Sequence, residues 1–253
     1  MLRRKRRRRN ADLRLDKMAR YNGEMALSKS ISPVNIRCMG ILFDMDGILI
    51  SSLGSVERSW TKWALMRGVD PVYACSIAHG CRSVETVAIL RPDLDAATEN
   101  LIIENMEIED TDGVAVLPGV LELLAKLPRD RWTLVTSATE PLARVRLAAG
   151  GIPVPERIVT ADDVSEGKPH PAPYLAGAAL LGFAPEECVV LEDAASGVRA
   201  GRAAGCTVIA TTFSHSVEAL APADYLIEDL TGVEVSILDG EEGLALTFRP
   251  LVR

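Results

Sequence analysis

The sequence predicts an α/β protein: a doubly wound parallel sheet with a Rossmann-like core and an all-helical cap domain inserted after the first strand. Three observations predict it. Short apolar runs bounded by turn residues alternate with helical stretches from residue 39 onward, as strands buried on both faces do. One long segment, 53–116, breaks that alternation and reads as helix throughout. Reactive polar groups fall just past the apolar runs, where open α/β sheets place their ligands. The 253 residues are 48% hydrophobic and 25% charged, enough to bury a substantial core without staples. No run of about 18 apolar residues occurs, which excludes a membrane-spanning helix.

Taken in order, the first strand spans 39–43 and the helical insertion follows at once. Within it Val56, Trp60, Trp63 and Ala64 fall at i, i+4, i+7 and i+8, one face of a helix. Leu117, Pro118 and Gly119 form a turn signal that returns the chain to the core. Further strands are expected at 133–135, 157–159, 189–191, 207–210 and 225–227, with helices at 121–127, 140–149, 173–181 and 194–204. Gly150 and Gly205 follow two of those helices as stop signals. Segments 233–238 and 244–248 flank an acidic, glycine-containing turn and read as a terminal hairpin. The expected division is a disordered basic arm, 1–37; a core, 38–52 with 117–253; and a cap, 53–116, hinged at 51–54 and 117–119.

Charge is unevenly placed. Ten of the 28 Lys/Arg and two of the 35 Asp/Glu lie in residues 1–20, a local net of +8, so the remainder carries −15. The block from Arg3 to Arg9 reads as a self-repelling tail that carries no chemistry. The acidic body is a poor match for a phosphate backbone, so no nucleic-acid partner is expected, and no membrane. No apolar stretch follows the basic block before Ser30, so no secretory leader is expected. Cys38, Cys75, Cys81, Cys188 and Cys206 include no C-x-x-C pair and fit reduced thiols in a cytoplasmic protein.

Four polar groups carry chemistry. Asp44 and Asp46 leave the first strand two residues apart, ahead of Gly47, and repel unless a cation or proton sits between them. One could attack as a carboxylate nucleophile while the other acts as general acid/base, or both could belong to an Asp-rich turn. Ser137 and the N–H of Ala138 close the next strand, as an anion cradle or an ordinary helix cap. Lys168 stands on a segment stiffened by Pro169, Pro171 and Pro173, a fixed charge beside His170, which reads as structural. Glu192 and Asp193 follow another buried strand and suit a hard cation or a helix start. Each group has a bland explanation. Four of them along one sheet do not share one.

In these residues the chain resembles the haloacid dehalogenase-like hydrolases, whose four motifs are matched by Asp44-Met45-Asp46-Gly47, Ser137, Lys168 and Glu192-Asp193. The likeness covers about 38–230. The inserted cap and the string His79-Gly80-Cys81-Arg82 make it similar to the sugar- and polyol-phosphate phosphatases, among them glycerol-phosphate and 2-deoxyglucose-6-phosphate phosphatases. The resemblance implies Mg²⁺-dependent hydrolysis of a small phosphorylated metabolite through an aspartyl-phosphate. Asp44 would attack phosphorus, and Asp46 would act first as acid and then as base. Ser137 and Ala138 N–H would hold phosphoryl oxygens, with Lys168 balancing charge. It also implies metal ligation by Asp44, Asp46 and Asp193 with Glu192, and substrate contacts from His79 and Arg82. The chain departs from the pattern at Ser51, where the family has an aspartate.

The runner-up is a phosphomutase like β-phosphoglucomutase, which the resemblance endows with a histidine on the first cap helix and a cap lysine. Val56 stands at the first position, and nine Asp/Glu with no Lys or Arg lie between Pro92 and Ala125. That stretch repels a second phosphate, so a phosphatase is favoured. A non-catalytic phosphate-ester-binding protein of the same fold is the remaining alternative, and it would have no need of Asp44, Asp46 and Lys168 together. With an acidic surface and a covering cap, a monomer is expected.

Overall fold

The structure, a computed structural model, describes residues 32–78, 81–238 and 243–252. It opens with β1 (Val34–Cys38), β2 (Gly40–Phe43) and β3 (Ile50–Ser51). Four helices follow: α1 (Leu53–Arg67), α2 (Pro71–Ala78), α3 (Ser83–Leu90) and α4 (Ala96–Glu109). The chain returns through β4 (Ala115–Val116), α5 (Val120–Leu124), β5 (Trp132–Leu134), α6 (Glu140–Ala149) and α7 (Ala172–Leu181). It ends with β6 (Cys188–Glu192), α8 (Ala195–Ala204), β7 (Thr207–Thr211), β8 (Tyr225–Ile227), β9 (Glu234–Ile237) and β10 (Leu244–Phe248).

The expected parallel sheet has five strands in the order β5-β2-β6-β7-β8, all paired in parallel. Alternation along each strand feeds two cores. Ile41, Phe43, Val189 and Leu191 pack on one face with α5 and α6, and Leu42, Val190 and Val208 pack on the other with α7 and α8. From β2 the chain moves outward to β5, then crosses back to β6 on the far side of β2. The crevice at the carboxyl ends of β2 and β6 is therefore the topological switch point, the binding position of such sheets.

Two expectations change. Residues 34–37, assigned to the arm, form β1, which pairs antiparallel with β10 from Val34↔Phe248 to Cys38↔Leu244. Its half-exposed alternation lacks the continuous apolar run that marks the buried strands. Residues 1–31 lie outside the described part. The segment 157–159 forms a single bridge, Val135↔Val159, instead of a strand. The terminal hairpin is present as β9 against β10, and its tip, 239–242, is outside the described residues.

The helical insertion carries its own core of Trp60, Trp63, Ala64, Ala74, Ala78, Val87 and Ile103. The Trp60 and Trp63 rings meet edge to face at 5.4 Å. Its entry and exit strands are zipped together, Ile50↔Val116 and Ser51↔Ala115, and Leu117 N–H donates to Leu49 C=O at 3.0 Å. No helix among the described residues is long and apolar enough to cross a membrane.

Candidate active site

Asp44 follows β2 directly, and its N–H donates to Leu191 C=O of β6 at 2.9 Å, fixing it at the switch point. Lys168, 2% exposed, reaches it from the proline-stiffened loop, whose Lys168–Pro169 bond is cis. Its ammonium has three donors and three acceptors: Asp44 Oδ1 at 2.5 Å, Glu192 Oε1 at 2.8 Å and Val135 C=O at 3.1 Å. Glu192 is saturated as well. Oε1 also accepts from Tyr174 O–H at 2.8 Å, and Oε2 accepts from the N–H groups of Asp193 and Ala194, each at 2.9 Å. A Cβ on Gly197 would stand 1.5 Å from Glu192 Oε1, so only glycine admits this carboxylate.

The electrostatics are lopsided. Burial pushes Asp44 up to about 7 against the pull of Lys168. Burial, then Glu192 and Asp44, raises Asp193 well above the usual carboxylate range. Burial opposes charge on Lys168 too, but Asp44 and Glu192 outweigh it and hold the ammonium charged. Five carboxylates, those of Asp44, Asp46, Glu107, Glu192 and Asp193, thus gather around two cations, Lys168 and Arg146. Asp44, Glu192 and Asp193 offer carboxylate oxygens within 4.8 Å of one another, a donor set that fits a hard divalent cation such as Mg²⁺. Glu192 has both oxygens occupied, so Asp44 and Asp193 have the freer ones. Gly47, at φ 87, lets the backbone pass beside Asp193, where a Cβ would meet Oδ2 at 1.8 Å.

Asp46 turns its carboxylate away from that group. Oδ1 accepts from Ser52 O–H, and Oδ2 from Arg146 Nη1 at 3.0 Å. Arg146 also lies 3.4 Å from Glu107 on α4, whose carboxyl burial pushes up to about 7 despite the guanidinium. Ser137 and Ala138 line the same cavity beyond β5, with Val56, Trp60 and Leu142 as its apolar wall. The Ala138 N–H donates to Thr136 Oγ1 at 3.1 Å, so the expected cradle is here closed by a local turn.

The expected cap contacts fare differently. Arg82 does not line this cavity: its guanidinium donates to Glu85, to Val164 C=O and to Ser165 C=O, both carbonyls at 3.1 Å. It links the helical insertion to the loop that carries Lys168 and, with Ser137 and Ala138, lines an adjoining cavity. His79 lies outside the described residues.

Comparison with known proteins agrees with the geometry. Residues 38–205 match the haloacid dehalogenase-like hydrolase family profile. The chain belongs to that family. Hexitol phosphatase A of Escherichia coli is 41% identical over 206 residues, 79% of this chain and 95% of its own length. Glycerol-1-phosphate phosphohydrolase 2 of Saccharomyces cerevisiae is 30% identical over 223 residues, covering 83% and 89%. The crystal structure of a hydrolase from Pseudomonas syringae superposes with a TM-score of 0.70 at 25% identity, covering 76% of this chain and 94% of that one. As a haloacid dehalogenase-like enzyme with phosphatase relatives, the chain is a phosphoric monoester hydrolase.

Sequence reasoning did not single out Ser52, Tyr174, Glu107 or Arg146. The last two carried a readable signal. Arg146 shares the buried stripe of α6 with Leu142, Ala143 and Leu147, and Glu107 shares that of α4 with Glu99 and Ile103. A charge on an apolar helix face needs a partner.

Proposed function

We propose that the enzyme hydrolyses small sugar- or polyol-phosphate monoesters through an aspartyl-phosphate on Asp44, with Mg²⁺ as cofactor. The observation that carries this reading is the buried Asp44–Lys168–Glu192 group at the switch point, with Asp46 two residues away and held in a different orientation. The named activities of the relatives support the substrate class.

In the first half-reaction an Asp44 oxygen bonds to phosphorus while the ester P–O bond breaks, and the Asp46 carboxyl proton passes to the departing alcohol oxygen. In the second, a water oxygen bonds to phosphorus, its proton passes to Asp46, and the Asp44–phosphorus bond breaks. The balance is ester plus water to alcohol plus phosphate. Lys168 keeps a constant positive charge against Asp44, and Ser137 orients phosphoryl oxygens; positioning and neutralisation supply most of the rate in such transfers. Ala138 N–H joins Ser137 once it exchanges its Thr136 partner for a phosphoryl oxygen. Asp44 and Asp193, with the Asp46 backbone carbonyl and Glu192 behind them, would hold Mg²⁺, which offsets the negative charge on the transferring group.

Among the described residues lining the cavity, Arg146 is the one cationic side chain, and Asp46 and Glu107 already engage it. No cation there is free to grip a second phosphate, which favours hydrolysis over phosphomutase chemistry. The test is phosphate release from hexitol, glycerol and 2-deoxyglucose phosphates, with and without Mg²⁺, alongside Asp44→Asn. Metal-dependent release that Asp44→Asn abolishes is expected. Transfer of phosphate between positions of one sugar, without release, would establish the mutase instead.

A further inference from the structure

A buried cation has no role in the chemistry above. Arg146 is 4% exposed on α6, with Leu142, Ala143 and Leu147 around it. Nη1 donates to Asp46 Oδ2, while Nε and Nη2 are buried without a hydrogen-bond partner and Nη2 faces Glu107 Oε1 at 3.4 Å. A guanidinium carries five donors and stays charged in proteins, so burying one with so few bonds made is unfavourable unless its charge is needed there. Asp46 and Glu107 are the two groups that need it. Asp46 is thereby gripped from both sides: Ser52, beside the β3–β4 zipper, holds Oδ1, and Arg146 holds Oδ2. Glu107 belongs to the cap, whereas α6 belongs to the core. One guanidinium therefore joins the proton-transfer carboxylate to the cap.

We propose that Arg146 is a positioning residue for proton transfer, aiming the Asp46 carboxyl and tying its placement to cap helix α4 through Glu107. The inference rests on the reading of Asp46 as general acid. With Arg146 in place, the Asp46 proton lies in line with the departing alcohol oxygen as the P–O bond breaks. Without it, the carboxyl keeps only the flexible Ser52 hydroxyl and loses that alignment, on which rate depends steeply. Glu107 keeps the guanidinium from following Asp46 alone.

Leaving-group dependence tests this and ignores mere loss of fold. An alkyl ester needs a proton on its departing oxygen; p-nitrophenyl phosphate expels a stable phenolate and does not. The ratio of kcat/KM for glycerol phosphate to that for p-nitrophenyl phosphate isolates the acid in the first half-reaction. Because a general acid is worth about 10²–10⁴-fold, Arg146→Gln should lower this ratio by about 10–100-fold, with Arg146→Lys restoring part of it. Glu107→Gln should lower it by about threefold, as expected for a network partner one contact away. A structural role slows both substrates alike. A ratio within about twofold of wild type in Arg146→Gln overturns the proposal. Should that variant not fold, the same result in both Arg146→Lys and Glu107→Gln overturns it. Absence of release from either ester by the wild-type enzyme overturns the phosphatase reading instead.

Discussion

Lys168 and Arg146 are both buried cations set between two carboxylates, yet they are bonded in opposite ways. Lys168 has a good acceptor for each of its three N–H donors, all supplied by the core, and the Tyr174 ring lies 5.0 Å from its nitrogen. Arg146 makes one hydrogen bond, leaves Nε and Nη2 without a hydrogen-bond partner, and reaches Glu107 of the helical insertion only as an ion pair. The contrast follows the tasks proposed for the two carboxylates. Charge balance against Asp44 is constant through a turnover, so a saturated, rigid cage serves it. Asp46 must give up and regain a proton, and a partly bonded cation leaves room for that change.

The largest test of this contrast is stability. Removing one partner of a buried, hydrogen-bonded ion pair costs about 3–5 kcal/mol, so Lys168→Ala should destabilise by that amount in denaturant titration. Arg146→Ala should cost less, because it forfeits one hydrogen bond, leaves Asp46 with solvent access, and strands only Glu107, which can take up a proton near pH 7; equal losses would break the distinction. Next in size is metal binding. Mg²⁺ at about 100 times its dissociation constant should add about 2.7 kcal/mol of stability to the wild type, read as a thermal shift. Asp193→Asn should remove most of that shift, whereas Glu107→Gln should leave it intact.

The third test uses pH. Glu107 rises from 4.5 to about 7 on folding, so the folded state binds the extra proton between those values. Stability contributed at low pH is therefore lost as pH climbs through about 7, and Glu107→Gln should abolish that part of the slope. At pH 8 the variant should be the more stable by roughly 1–3 kcal/mol, and at pH 4 the two should match. The smallest effect belongs to Tyr174→Phe. Deleting its hydrogen bond to Glu192 should cost about 1 kcal/mol while leaving Lys168 its three acceptors. A drop as large as that of Lys168→Ala would show that the cage is less robust than its bonding implies.

Much of the site was legible because the sheet makes it so. Buried strands announce themselves as apolar runs, and Asp44, Ser137, Glu192 and Asp193 each stand within a few residues of one. Lys168 was legible through the prolines around it. The structure adds what spacing cannot hold: that both oxygens of Glu192 are already bonded, that Ala138 N–H has a local acceptor, and that Arg82 grips Glu85 three residues on. β1 escaped because its partner lies more than 200 residues away and its outward side chains are polar or charged. Arg146 and Glu107 escaped because no motif marks them, and only helical spacing puts each on a buried stripe.

The tryptophan-centred core of the cap has an evolutionary consequence. Because the insertion satisfies most of its hydrophobic packing internally, its helices can drift in sequence without disturbing the strands beneath. The cavity wall that Val56 and Trp60 supply can then be reshaped while the polar groups at the strand ends keep their frame. Among the described residues of the insertion, Glu107, Glu104 and Arg82 bond to the layer beneath, so their replacement is felt there.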